Sequence, residues 1–211
     1  DPRLVALMEF PVLFLGAMPQ DTPALYSLMN YAGLKLGTWY PDGGFGKVIE
    51  AMIKVGTENG VEYRFNSAVD QIILDKDKVS GVMVNGEIIN CDAIIASSDY
   101  HHTENSLLPS EYRNYQTEYW ENKTFAPSCL IFYVGLNKKI KYINHHTLFF
   151  DEDLEKHAVE IYKKPQWPDK PLFYVCCPSR SDDSIAPKGH ENLFFLMPLA
   201  PGLNDAEELR E

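Results

Sequence analysis

Positive charge is in short supply in this sequence. There are 19 Lys and Arg against 30 Asp and Glu in 211 residues, a formal net charge of −11. Phosphate backbones are held by clustered Lys and Arg, so nucleic acid is excluded as a partner. Long apolar runs are missing too. The nearest, residues 10–18, contains Pro11 and falls well short of the ~20 residues a membrane-spanning helix needs. No signal peptide is visible. Cysteine is limited to Cys91, Cys129, Cys176 and Cys177, with no C-x-x-C pair among them. Each stands in an apolar, strand-like setting, so buried free thiols in a reducing cytoplasm are expected. Side by side on a strand, Cys176 and Cys177 would point to opposite faces, which argues against a shared metal or a disulfide.

The common catalytic signatures are absent as well. There is no G-x-S-x-G, no P-loop, no H-E-x-x-H and no G-x-G-x-x-G. Two histidine doublets, His101-His102 and His145-His146, resemble metal pairs at first sight. Adjacent residues face apart on a strand and diverge by about 100° on a helix, so neither doublet is expected to chelate one ion. No metal site is expected. The sequence opens Asp1-Pro2-Arg3 without an initiator Met and stops in a charged stretch, residues 206–211, that reads as a helix cut short. Both ends therefore read as boundaries within a longer chain.

What is present is an ordinary globular balance, 45% hydrophobic and 23% charged, long enough for a real core. The apolar stretch around Phe14 suits a strand or a buried helix equally. Asp21-Thr22-Pro23 reads as a helix start, followed by Leu25, Leu28, Met29 and Ala32 at helical spacing, with Gly33 or Gly37 as the stop. Residues 47–57 read as an amphipathic helix ended by Asn59-Gly60. Strands are expected at 61–65, 68–74, 79–84, 87–90 and 93–96, with Asn85-Gly86 as a hairpin turn. Further on, helices are expected at 104–108, 111–120 and 151–162. Strands are expected at 128–136, 172–177 and 193–199, and a Pro/Ser/Asp-rich loop at 178–189.

The turn Tyr40-Pro41-Asp42-Gly43-Gly44-Phe45-Gly46 carries more information. Glycines beside a helix start let backbone approach a bulky ligand closely, and helix N–H groups favour anionic or electron-rich groups. The same spacing also serves a tight turn that merely starts a helix.

Several short motifs, in order, resemble one family. They are Phe14-Leu15-Gly16, Thr22 to Leu28, Tyr40-Pro41-x-Gly43-Gly44, Asn59-Gly60-Val61 and the strand around Val69. Then come Val79-x-Gly81-Val82, the run Ala93-Ile94-Ile95-Ala96-Ser97-Ser98-Asp99, Ala126-Pro127-Ser128 and Tyr133-Val134-Gly135-Leu136. His146 to Phe150, Pro178-Ser179 and Ala186-Pro187-x-Gly189 complete the set. Together they resemble the interior of the phytoene desaturase family, carotenoid desaturases and isomerases of the flavin amine oxidase-like group. The resemblance implies an α/β (α+β) fold: a fragment of a two-domain FAD-dependent oxidoreductase, a mixed-sheet substrate domain plus part of a Rossmann-like FAD domain. Residues 1–37 and 101–211 would belong to the substrate domain and 38–100 to the FAD domain. Gly43 and Gly44 would lie against the flavin, Val69 would meet the adenine through its backbone, and Ala96 and Ser97 would sit near the cofactor. No catalytic residue is indicated.

The departures matter equally. The family's glycine-rich pyrophosphate cradle and its final glycine-rich flavin wall do not occur here, so the chain by itself is expected not to hold FAD. The implied activity of the full-length protein is introduction of double bonds into a phytoene-like polyene. Isomerase or saturase chemistry on a carotenoid or retinoid, and a stand-alone lipid-binding module, are the alternatives. A hydrophobic polyene substrate implies a protein peripheral to the membrane, on the cytoplasmic side. Oligomeric state is not indicated.

Overall fold

The computed structural model describes residues 1–206, so the helix expected over 206–211 lies, from Glu207 on, outside the described residues. Helix α1 (Pro2–Glu9) opens the chain, capped by the Asp1 carboxylate and entered through Pro2. Two 3₁₀ turns lead to a further 3₁₀ turn at Ala24–Ser27, the short α2 (Leu28–Tyr31) and a π turn at Ala32–Leu36. The helical character expected here is present but irregular. Gly37, at φ 78°, is its stop. Helix α3 (Phe45–Glu58) covers the amphipathic stretch. Next come strands β1 (Val69–Asp75), β2 (Lys78–Val84) and β3 (Glu87–Asn90), then the short α4 (Tyr100–His102) and α5 (Thr117–Glu121). Strand β4 (Ser128–Leu136), strand β5 (His146–Phe149), α6 (Leu154–Tyr162), β6 (Phe173–Cys176) and β7 (Glu191–Leu199) follow. No described helix is long and apolar enough to cross a membrane.

The chain packs as two compact units, residues 1–54 with 125–211 and residues 55–124.

The first unit is built on a four-stranded sheet ordered β4-β7-β6-β5. Where a mixed sheet was expected, every described pairing is antiparallel. Strands β4 and β7 pair over their full length, from Ser128 opposite Leu199 to Leu136 opposite Glu191. One core cluster lies on this sheet: Val175, Cys177 and Leu193, packed by Val134, Leu136, Phe149, Phe173 and Phe195. A second joins Met18 to Ala158 of α6. Helix α6 begins where the Asp153 carboxylate accepts from the Glu155 and Lys156 N–H groups. Its His157 is buried and fully bonded: Leu172 N–H donates to Nδ1 at 3.1 Å, and Nε2 meets the Pro198 carbonyl at 3.0 Å.

The second unit holds the meander β1-β2-β3. Asn85 and Gly86 both have positive φ, as the two-residue hairpin turn requires. Gly81 is needed for a different reason: a Cβ there would lie 2.6 Å from the Ile89 carbonyl oxygen. Buried Glu104 ties down the segment after α4, accepting from Tyr100 OH and from the Asn114 and Tyr115 N–H groups. Burial alone would raise its carboxyl pKa; the hydrogen bonds outweigh that and hold it below its usual range.

Several local expectations are corrected. Residues 61–65 and 93–96 form no strand among the described residues, and Ile95 is 96% exposed. Their alternation and apolarity suit a sheet, but a strand exists only when another backbone pairs with it. The expected helix at 111–120 breaks into a 3₁₀ turn and α5, with 113–116 extended or bent between them. The apolar face of α3 is solvent-facing, with Met52 68% exposed. Of the four cysteines only Cys177 is buried; Cys91 and Cys176 are half-buried and Cys129 is exposed.

Candidate functional site

The turn before α3 has the geometry its glycines suggest. Gly43 and Gly44 sit at φ 77° and 85°, a region that disfavours any side chain. The Gly44 N–H donates to the Pro41 carbonyl at 2.9 Å, closing the turn, and the Lys47 N–H donates to the Gly44 carbonyl, opening the helix. Gly44 is buried, and a Cβ on it would lie 3.1 Å from the Tyr40 hydroxyl. The first N–H groups of a helix have no partner within it, so this end presents donors and a positive dipole end.

Tyr40 anchors the turn to the sheet. Its ring packs edge-on against Phe45, and at 4.9 Å between centroids against His145. Its hydroxyl approaches Asp182 at 3.5 Å, and Asp182 in turn accepts from the Ser184 N–H and hydroxyl. Burial, then the negative charge of Asp182, pushes the Tyr40 pKa up, so the phenol stays protonated. Donors from Ser184 hold the Asp182 carboxyl below its usual range.

Beyond Tyr40 stand His145 and His146. They do not diverge as expected: their ring centroids are 4.4 Å apart, tilted by 33°. The two rings meet at the start of β5, His145 lying just before its first ladder residue. The His145 carbonyl accepts from the Cys177 N–H. His145 Nδ1 bonds Ser181 Oγ at 2.8 Å, and His146 Nδ1 bonds the Tyr174 hydroxyl at 2.5 Å. Cys176 is the cross-strand partner of His146. Burial, then the neighbouring His146, pushes the His145 pKa down, so the imidazole favours its neutral form. Tyr174 is shifted upward by burial and by its hydrogen bond to Cys176.

Of the residues singled out from the sequence, Gly43 and Gly44 lie in the first unit, at the mouth of α3. Val69, Ala96 and Ser97 lie in the second. Val69 starts β1 opposite Val84 and is half-buried; Ala96 and Ser97 are exposed in a segment without regular secondary structure. The cluster of Tyr40, His145, His146, Cys176 and Asp182 was missed. Its only sequence signal is weak: a His doublet and a Cys doublet border short apolar stretches of equal length, H-T-L-F and F-Y-V-C, which turn out to be paired strands.

The profile of the flavin-containing amine oxidoreductase family matches residues 1–210. The chain belongs to that family. It is 41% identical over 210 residues to a carotenoid 3,4-desaturase of Haloarcula japonica, covering 100% of this chain and 42% of that protein. It is 34% identical to a phytoene desaturase of Neurospora crassa, covering 97% of this chain and 36% of that one. The chain thus spans about two-fifths of the length of these curated relatives. Among solved structures, an oxidoreductase from Methanosarcina mazei superposes with a TM-score of 0.59 at 20% identity, over 92% of this chain and 44% of that one. At that identity the likeness concerns the fold.

The group that gives this family its name is a flavin, and part of the chain fits one. Gly44 precedes a 14-residue helix whose first N–H groups suit an anionic or electron-rich group, while the space its absent Cβ leaves is taken by the Tyr40 hydroxyl. No glycine-rich pyrophosphate cradle occurs among the 211 residues.

Proposed function

We propose that this chain is the interior part of an FAD-dependent carotenoid desaturase, which introduces double bonds into phytoene-like polyenes. The observation that carries this reading is the 41% identity to a carotenoid 3,4-desaturase along the whole chain. The flavin supplies hydride acceptance when bound. The chain's own contribution is placement. Gly43 and Gly44 form one wall of the flavin site and let the cofactor come within contact distance of the backbone. Val69 meets the adenine end through its backbone, and Ala96 and Ser97 border the cofactor. Tyr40 holds the glycine turn on the sheet through His145 and Asp182. The aromatic face of the sheet (Phe149, Phe173 and Phe195 around Val175) keeps water from a hydrocarbon substrate.

The remainder of the longer protein covers the apolar face of α3 and pairs with residues 93–96, which stand solvent-facing here. The protein works at the membrane surface from the cytoplasmic side, because its substrate dissolves in lipid. The chain alone does not hold FAD tightly.

The test uses the complete reading frame that contains this segment. Supplied with FAD and phytoene in liposomes, the protein is expected to yield products with longer conjugated chromophores, read by absorption. Bound FAD with unchanged phytoene sinks the reading, and a product of unchanged conjugation but altered geometry points to isomerisation instead. A tight, stoichiometric yellow complex of FAD with the 211-residue chain alone contradicts the dependence on missing parts.

A further inference from the structure

The edge of the first unit's sheet holds a side-chain cluster that a desaturase reading leaves unused. His145, His146 and Cys176 each offer one ligand atom, and the three atoms lie within 4.8 Å of one another. Two are brought together by the β5–β6 ladder, where His146 faces Cys176. The third arrives because the Cys177 N–H holds the His145 carbonyl at 2.8 Å, extending the pairing one residue beyond the strand.

Hydroxyl groups stand beside both imidazoles of the cluster. Each imidazole has its Nδ1 engaged by a hydroxyl, Ser181 for His145 and Tyr174 for His146. An imidazole that donates from Nδ1 keeps a lone pair on Nε2, the arrangement in which metal-bound histidines are oriented by outer partners. No carboxylate belongs to this cluster among the described residues, and Asp182 beyond Tyr40 is engaged by Ser184 and Tyr40. Nitrogen and sulfur without carboxylate exclude the hard cations magnesium and calcium and select a borderline-soft transition ion.

We propose that His145, His146 and Cys176 form a binding site for a single zinc-class divalent ion, with a water completing the tetrahedron. Cys176 binds as thiolate and its proton leaves to solvent, so no oxidant or reductant is involved. Around a tetrahedral zinc the ligand atoms lie roughly 3.5 Å apart. The cluster therefore contracts by about 1 Å on binding, a motion that exposed His146 supplies by side-chain rotation. The ion would clamp the start of β5 to the end of β6, beside the ring of Tyr40. The site is independent of the flavin reading, and its test needs no flavin.

Cobalt(II) is the probe, because its spectrum reports both geometry and sulfur ligation. The chain, stripped with chelator under reducing conditions, is titrated with cobalt chloride in the absence of air. One equivalent is expected to produce a thiolate-to-cobalt charge-transfer band and the intense visible bands of a tetrahedral centre, both abolished by zinc. Cys176→Ser removes the charge-transfer band. His146→Gln, at an exposed position, weakens binding about tenfold or more. Cys129→Ser, at the exposed thiol, leaves the spectrum unchanged. Circular dichroism confirms that each variant is folded. Absence of the bands in the parent chain overturns the proposal, as does a charge-transfer band that survives Cys176→Ser, since the ion then sits on other thiols.

Discussion

Replacing His157 by alanine is expected to be among the most damaging single changes in the first unit. The ring is 1% exposed. Leu172 N–H must donate to Nδ1, so Nδ1 carries no proton, and Nε2–H then donates to the Pro198 carbonyl. Alanine leaves the buried Leu172 N–H without an acceptor and takes a donor from the part-buried Pro198 carbonyl. An unsatisfied buried backbone group costs about 1–3 kcal/mol. That loss and the lost packing together put the expected cost at about 3–5 kcal/mol. His157→Asn keeps an acceptor for Leu172, and His157→Gln keeps a donor for Pro198, so each is expected to fall between the parent and alanine.

The same geometry sets a pH dependence. Burial pushes the His157 pKa below its ordinary value, against smaller opposing effects of Pro198 and Glu160. The unfolded chain then binds a proton that the folded chain rejects. Stability is full above the unfolded pKa of about 6.5 and falls as pH drops from there toward the folded pKa, with a slope of at most ~1.4 kcal/mol per pH unit. Urea unfolding followed by circular dichroism at pH 7.5 and 5.5, as chosen test conditions, reads both effects. Exchange of the Leu172 amide reports the local bond. A cost below about 1 kcal/mol for His157→Ala, or an acid slope unchanged by its removal, refutes the reasoning.

Gly44→Ala is expected to cost about 1–2 kcal/mol, because alanine disfavours φ 85° and its Cβ meets the Tyr40 hydroxyl; thermal unfolding measures it. Gly81→Ala should destabilise the second unit by about 1–3 kcal/mol by forcing β2 and β3 apart, visible as faster amide exchange across Gly81 and Asn90. Glu191 is fully buried with Ile140 N–H on Oε2 at 2.7 Å, while Arg180 Nε sits 3.1 Å from Oε1 in an ion pair lacking hydrogen-bond alignment. Glu191→Ala should therefore cost about 3–5 kcal/mol by urea unfolding, and substituting Arg180 as well should recover part of that loss.

Much of the local structure was legible in the residues. Asn85-Gly86 demanded positive φ at two successive positions and formed the hairpin. The helix expected over 151–162 is present as α6, starting later, at Leu154, and the apolar run 128–136 coincides with β4. Ordered short motifs, several of them built around glycine or proline, were enough to indicate the family. These features share one property: the groups that decide them lie within a few positions of each other along the chain.

The tertiary structure decided the rest. Residues 61–65 and 93–96 carry strand-like patterns and no described partner, since pattern makes a segment able to pair but pairing needs a second backbone. The order β4-β7-β6-β5, the opposition of His146 and Cys176, and the seating of Tyr40 on His145 all join segments far apart in sequence. Ladder rules applied to His145-His146 gave divergence, yet the rings meet at the start of β5. From sequence alone the two histidines are merely neighbours. They become a potential ligand set only where folding adds a thiol from a strand thirty positions away.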